Sequence, residues 1–252
     1  MAEKGYQKGF FESYASSTYD TKVRGQKAEK ILAVLDDYYA GDLKDQIVLD
    51  LGCSTGLITS ILGKKFKRIV GADIDIHAIR SSAKKQVREN LSFMIQDGLN
   101  LGFIDESFDI VICAHIYEHV PNPQKLMSEI YRVLKPEGVC YFAVENRLLV
   151  IEPHYKLPFL SLIPKKLAHL YLRVFRKEHF YYENLLTVWG LRKLVEDFRI
   201  IDYTQRIVEE PGLFHATDML NPNSLKQKIS KFVLQKFYWL CPTYIWLLKK
   251  GK

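Results

Sequence analysis

Three stretches of the chain carry residue types suited to moving a proton. His115-Ile116-Tyr117-Glu118-His119 follows the apolar run Phe108 to Ala114, Glu145 closes the run Val139 to Val144, and Glu152-Pro153-His154-Tyr155 comes shortly after. Imidazole titrates close to neutrality, so it is the side chain best placed to take a proton from a hydroxyl; a carboxylate is either a rival base or the group that orients one. His115 and His154 are the candidate bases, and Glu145 is the rival or orienting acid. His119, in a Glu-His-Val segment before a proline turn, reads as a cap on backbone groups, and His179 and His215 are further candidates. Packing or simple hydrogen bonding is the competing role for each. The histidines and acids lack zinc spacing, and Asp73-Ile74-Asp75 lacks the rest of a calcium loop, so no metal site is expected.

A second set of residues is suited to holding a ligand. Ile47 to Leu51 is an apolar run too short for a helix, closed by Gly52-Cys53-Ser54-Thr55-Gly56, after which a new periodic segment starts at Leu57. Glycine lets the backbone turn tightly and lets a ligand approach the main chain. The turn lacks the three-glycine spacing of a dinucleotide site and the Gly-Lys-Ser/Thr of a phosphate loop. Asp50 at its lip would repel a pyrophosphate and attract a ligand carrying positive charge, such as the amino group and sulfonium of S-adenosylmethionine. Asp73 ends the next apolar run, at the distance from the turn where a carboxylate can accept both hydroxyls of a ribose, whereas Asp75 fits better as a helix cap. Gln96-Asp97-Gly98 follows a third run and offers partners for the amino edge of a purine.

The elements that must position these groups read as helices at Gln26–Tyr39, Leu57–Phe66, Ile76–Arg88 and Gln124–Leu134, alternating with strands at Ile47–Leu51, Arg68–Ala72, Leu91–Ile95, Phe108–Ala114 and Val139–Val144. Short strands ending in polar residues and separated by helices predict a parallel sheet with a ligand crevice along its carboxyl edge. Tyr6 to Gly25 reads as an aromatic arm laid across the domain, adding Tyr14 and Arg24 to the candidate cofactor contacts. Further on come helices at Trp189–Asp197 and Asn223–Leu240, with strands at Arg199–Thr204 and Thr243–Leu248.

In order and spacing, V-L-D-L-G-C-S-T-G, G-A-D-I-D, Q-D-G, F-D-I-V-I-C-A-H-I-Y-E-H-V and L-K-P-E-G-V resemble the class I S-adenosylmethionine-dependent methyltransferases. The resemblance implies an α/β fold: a Rossmann-like, doubly wound, seven-stranded and mostly parallel sheet whose last strand is antiparallel. It implies that Asp50, Gly52, Cys53, Ser54 and Gly56 hold the methionine end, Asp73 the ribose and Ile74 the adenine face. Asp97 and Gly98 would meet the adenine amino group, and Ala114 with His115 would line the floor beneath the sulfonium. The chain then divides into an N-terminal arm and helix (1–45), a cofactor-binding core (46–145), an inserted substrate lid after strand five (146–190) and a C-terminal completion of the sheet (191–252).

A length of 252 residues, 48% of them hydrophobic, supports one large domain and argues against disorder. Cys53, Cys113, Cys140 and Cys241 form no C-x-x-C pair and read as buried thiols in a reducing compartment. No secretory signal opens the chain, and Phe232 to Leu248 is too short and too interrupted to span a bilayer, so a cytoplasmic protein is expected. Residues 1–145 hold 18 basic and 20 acidic side chains, and residues 146–252 hold 18 and 9. This asymmetry points to an acidic substrate, an anionic membrane surface or nucleic acid. Lys165 to Lys177 predicts a basic helix whose stripe Leu167, Leu170 and Val174 either packs on the domain, the favoured arrangement, or rests on a membrane.

The E-x-H-Y-x-L-P-F-L-S run is similar to segments of glycan and glycolipid methyltransferases. The leading expectation is therefore methyl transfer, most simply to oxygen, on a small-molecule, sugar or lipid-linked acceptor. An RNA methyltransferase and a non-catalytic cofactor-binding scaffold are the alternatives; no base-flipping motif of the N-P-P-Y type follows strand four, where Ala114-His115-Ile116-Tyr117 stands.

Overall fold

The computed structural model describes residues 20–85, 88–177 and 180–251. Tyr14 and His179 lie outside the described residues. The first helix, α1 (Thr21–Tyr38), starts earlier than expected, because the Asp20 side chain accepts from the backbone N–H groups of Lys22 and Val23. The sheet is built from β1 (Ile47–Leu51), β2 (Arg68–Asp73), β3 (Leu91–Ile95), β4 (Phe108–Ala114), β5 (Leu134–Glu145), β8 (Phe198–Asp202) and β9 (Thr243–Lys250). Its order is β3-β2-β1-β4-β5-β9-β8. The pairs among β1 to β5 are parallel, and β9 runs antiparallel to both β5 and β8, as the resemblance implied. Strand five is longer than expected: Leu134 pairs with Phe108, and the register shifts before Val139 pairs with Ile110.

Alternate residues of the central strands feed two cores, one on each face. Leu49 and Leu51, Val111 and Cys113, Cys140 and Phe142, and Tyr244 and Trp246 face one core with α4 (Pro123–Val133) and α6 (Val188–Leu194). Val48, Ile110, Ile112, Val139 and Tyr141 face the other with α1, α2 (Leu57–Leu62) and α7 (Thr204–Glu209). This period-two division explains why the strand sequences are apolar throughout: both faces are covered. The helix α3 (Ile76–Lys85) is capped by Asp75, whose Oδ1 accepts from His77 N at 2.8 Å and Ala78 N at 3.2 Å. All four cysteines are buried and free.

The chain leaves β5 through Asn146, which is wholly buried. Its amide nitrogen lies within hydrogen-bonding distance of Trp239 O, Cys241 O and the Tyr244 hydroxyl (2.7, 2.8 and 3.1 Å), tying this exit to the C-terminal strand. The following segment contains the small hairpin β6 (Ile151–Glu152) and β7 (Leu157–Pro158), then α5 (Lys165–Val174). Tyr155, Leu157, Leu160, Ala168, Leu172 and Tyr181 give it a small core of its own. That core corrects the expected packing of α5. Ala168 and Leu172 are the buried side chains, whereas Leu167 and Leu170 are each 55% exposed and Val174 is 68% exposed. The expected helix to Leu240 ends at Lys236, as α8 (Leu225–Lys236), with a separate 3-10 turn at Tyr238–Leu240. No helix of the described residues is long and apolar enough to cross a membrane.

Candidate functional site

A cavity of about 530 Å³ opens along the carboxyl edge of the sheet. Gly52, Ser54, Asp73, Ile74 and Gly98 line it from the β1–β2–β3 side, and Ala114, His115, Glu145 and His154 from the β4–β5 side. Arg24 and Lys27 of α1 close over it. Of the expected cofactor contacts, Asp50, Cys53, Gly56 and Asp97 are not in the wall.

The first side is made of backbone. Gly52 and Gly56 have φ of +73° and +67°, and Ser54 lies in the same left-handed region at +50°. A Cβ at Gly52 would stand 2.1 Å from Ile116 Cδ1, so only glycine leaves the turn bare at the cavity without displacing that side chain. Gly52 N and Cys53 N both donate to Ala72 O, at 2.7 and 3.1 Å, which binds the turn to the end of β2. There Asp73 Oδ2 accepts from Ser54 N at 2.8 Å and Oδ1 from Asp75 N at 2.9 Å. Burial raises its pKa against these two bonds. The Ile74 N–H also acts on this carboxylate, whose two oxygens have about four acceptor sites in all and so retain capacity for a ligand hydroxyl.

Asp50 differs from its expected place at the lip. It is buried beneath the turn, where Thr59 Oγ1 donates to its Oδ2 at 2.6 Å and burial pushes its pKa up to about 6. Asp97 Oδ1 accepts from Leu99 N at 2.9 Å, and the adjacent Gln96 lines the cavity instead.

The second side gathers histidines and acids. His115 ends β4 with φ of +59°, its N–H donating to Ala143 O at 2.8 Å. Its Nδ1 stands 3.6 Å from Glu145 Oε1 and 3.8 Å from Glu118 Oε1. Burial, with Lys27 and the other histidines nearby, lowers its pKa to about 3, so the ring is neutral at pH 7. Glu145 is pushed up to about 7 and Glu118 to about 8, in each case chiefly by burial. Burial pulls His154 down, but the bond from its Nδ1 to Glu152 Oε1 at 2.7 Å, with the charges of Glu152, Glu183 and Glu145, raises it to about 9. His119 packs edge-on against His154 with ring centroids 5.1 Å apart. His215 lies away from this group, its Nδ1 3.6 Å from Glu29 Oε2.

The fold brings Glu118 and Glu183 together by a clasp. Asn184 N donates to Glu118 O at 2.9 Å, Leu186 N to the Tyr117 hydroxyl at 3.0 Å, and that hydroxyl to Glu145 O at 3.1 Å. Glu118, Glu152 and Glu183 were not singled out by the sequence reading; three acids spread over more than sixty positions carry no local signal. Thr59, inside an ordinary helical run, was not singled out either, whereas Gln96 was read within the Gln96-Asp97-Gly98 turn.

A seven-stranded sheet with one reversed strand, a glycine turn after β1 and an acid at the end of β2 define a Rossmann-like methyltransferase fold. Residues 49–142 match the family described as methyltransferase domain. The ubiquinone biosynthesis O-methyltransferase of Coxiella burnetii is 33% identical over 108 residues, covering 42% of this chain and 46% of that protein. The chain thus spans about half the length of this relative. The PH0226 protein of Pyrococcus horikoshii OT3 shares the fold with a TM-score of 0.60 at 19% identity, over 96% of this chain and all of that one. A SAM-dependent methyltransferase of Aquifex aeolicus does so with a TM-score of 0.53 at 16% identity, over 75% and 89%. The matched residues are those of a methyltransferase domain, and the sheet has the fold of these solved structures. The bare turn at Gly52 and the Asp73 carboxylate at the end of β2 form a cradle of a size and polarity that suits a nucleoside-type ligand.

Proposed function

We propose that the protein transfers a methyl group to an oxygen of a small-molecule, sugar or lipid-linked acceptor. The observation that carries this reading is the cavity itself, with a nucleoside-type cradle on one side and a neutral histidine flanked by carboxylates on the other. S-adenosylmethionine supplies, when bound, a methyl group already activated by the sulfonium charge. The Gly52–Gly56 turn then positions the methionine end and Asp73 the ribose, while Ala114 and His115 form the floor. Neutral His115 receives the hydroxyl proton on Nε2. Because a ring with a pKa of about 3 is a weak base, the step depends on ionised Glu145, 3.6 Å from Nδ1 and titrating near 7, to stabilise the charge formed on the ring. The 146–190 segment acts as a lid, contributing His154 and Pro153 to the wall.

Oxygen as the accepting atom is supported by the name of the Coxiella relative. A lipid-linked acceptor is supported by the exposed stripe Leu167, Leu170 and Val174, set among Lys165, Lys166, Arg173 and Arg176, which suits peripheral contact with an anionic bilayer. The positive second half of the chain would also suit RNA, and that reading is kept as the alternative.

The test is to incubate the protein with methyl-labelled donor and separate lipid, glycan and RNA extracts. Label in the lipid or glycan fraction is expected, and His115→Gln should lower turnover by roughly 100-fold or more at saturating donor. Label in RNA alone, or donor binding without transfer to any fraction, would overturn the proposal.

A further inference from the structure

We propose that Glu145, Glu152 and His154 form a site for one divalent transition-metal ion of the Mn²⁺ or Zn²⁺ type. A carboxylate oxygen from each acid and a ring nitrogen of the histidine lie within 4.8 Å of one another, the one such trio among the described residues. His154 Nδ1 and Glu152 Oε1 are 2.7 Å apart. Two ligands bound to a common ion at about 2.1 Å and at roughly right angles stand about 3 Å apart, so this pair needs little movement to share one. The other oxygen of Glu152 accepts from Tyr155 N at 2.8 Å, which orients the carboxylate and leaves Oε1 facing the histidine.

An independent observation also favours a cation at this place. Glu118 is wholly buried, and neither of its oxygens has a hydrogen-bond partner among the described residues. The same holds for Glu145 Oε2 and Glu183 Oε2. Glu118 and Glu145 approach the same His115 nitrogen, and Tyr155 links Glu183 to the Glu152 loop through a 3.4 Å contact from its hydroxyl. Glu118, Glu145, Glu152 and Glu183 thus lie close enough to act on one another's charge, with His154 among them and the cations Arg24, Lys27 and Lys30 along the cavity wall that Glu145 and His154 share. Four buried carboxylate oxygens without a donor among the described residues, with one imidazole shared among four acids, are costly, and a doubly charged ion would satisfy more of them than the histidine alone.

The donor set selects the ion. Two carboxylates and an imidazole, with no thiolate, suit Mn²⁺ or Zn²⁺ better than the soft Cu⁺ or Ca²⁺, which takes six to eight oxygens. Because Glu145 and His154 both face the cavity, the ion would reach the acceptor oxygen and favour its deprotonation. That last step rests on the proposed methyl transfer to oxygen; ion binding does not.

The experiment uses the full chain, dialysed against chelator and titrated with Mn²⁺ while free ion is followed by electron paramagnetic resonance. Donor affinity is measured calorimetrically on the same samples. The wild type should take up about one Mn²⁺ per chain, displaceable by Zn²⁺, with spin-echo modulation from one coordinated imidazole nitrogen. Glu152→Gln and His154→Ala should each bind Mn²⁺ at least about tenfold more weakly, with donor affinity retained. A wild type that binds donor but neither Mn²⁺ nor Zn²⁺, a bound ion without nitrogen coupling, or variants that bind Mn²⁺ as tightly as wild type would overturn the site. Stoichiometric Mn²⁺ uptake by a protein that fails to methylate oxygen would instead strike the proposed function and leave the ion site standing.

Discussion

Replacing Glu118 by Gln should stabilise the ion-free protein at alkaline pH and do much less at acid pH. Glu118 is wholly buried, its carboxyl oxygens find no donor among the described residues, and burial pushes its pKa up to about 8. A carboxyl whose pKa is raised by folding favours the native state fully only below its unfolded pKa, near 4.5. That advantage is lost as pH climbs toward the folded value. At 1.36 kcal/mol per unit, the loss between about pH 5 and pH 8 is roughly 3 kcal/mol from this group alone, and glutamine, which has no proton to lose, should escape it. For a chain of this length, 3 kcal/mol corresponds to about 6–12 °C in Tm. Thermal melts of both proteins in chelator across this pH range should therefore diverge, the variant holding its Tm as the wild type falls. Parallel curves, or a variant that loses most at high pH, would mean that Glu118 is paired as a carboxylate, and the reasoning from orphaned acids would fail.

Three other outcomes follow from single contacts. Gly52→Ala must adopt a left-handed backbone and push Ile116 toward the cavity, so it should cost about 1–2 kcal/mol in a urea melt and weaken donor binding measured by calorimetry. Asn146→Ala leaves Trp239 O, Cys241 O and the Tyr244 hydroxyl without their buried donor and should lower unfolding stability by about 2–4 kcal/mol in the same melt. Leu170→Glu, on the exposed stripe of α5, should abolish sedimentation with phosphatidylglycerol vesicles without changing Tm, because that side chain is not part of the core.

Much of the sheet was legible because its strands are bounded by punctuation. Gly52 and Asp73 each stop a run of apolar residues, and the alternation of strand and helix then fixes a parallel core; Pro136 and Gly138, read as a turn, instead lie inside the longer β5. Helix ends were less legible: Asp20 starts α1 five residues before the first residue expected to be helical, because a side-chain cap can recruit a weakly periodic turn. The α5 face was misjudged for another reason. Leu167, Leu170 and Val174 form the apolar stripe that periodicity detects, but the segment already has a core from Tyr155, Leu157, Leu160 and Tyr181, which takes Ala168 and Leu172. On the site, residues next to turns could be picked out one at a time. The acid cluster could not, because Glu118, Glu145, Glu152 and Glu183 meet only through the clasp that Tyr117 makes with Leu186 and Glu145.

Methyl transfer at this site requires a nucleoside donor seated between the Gly52 turn and the end of β2. Calorimetric titration of S-adenosylmethionine into wild type and Asp73→Ala, with Tm as the control for folding, tests this directly. Removing the carboxylate leaves two ligand hydroxyls without an acceptor, so affinity should fall by at least about 30-fold while the protein stays folded. A folded Asp73→Ala variant that binds the donor as tightly as wild type would contradict it.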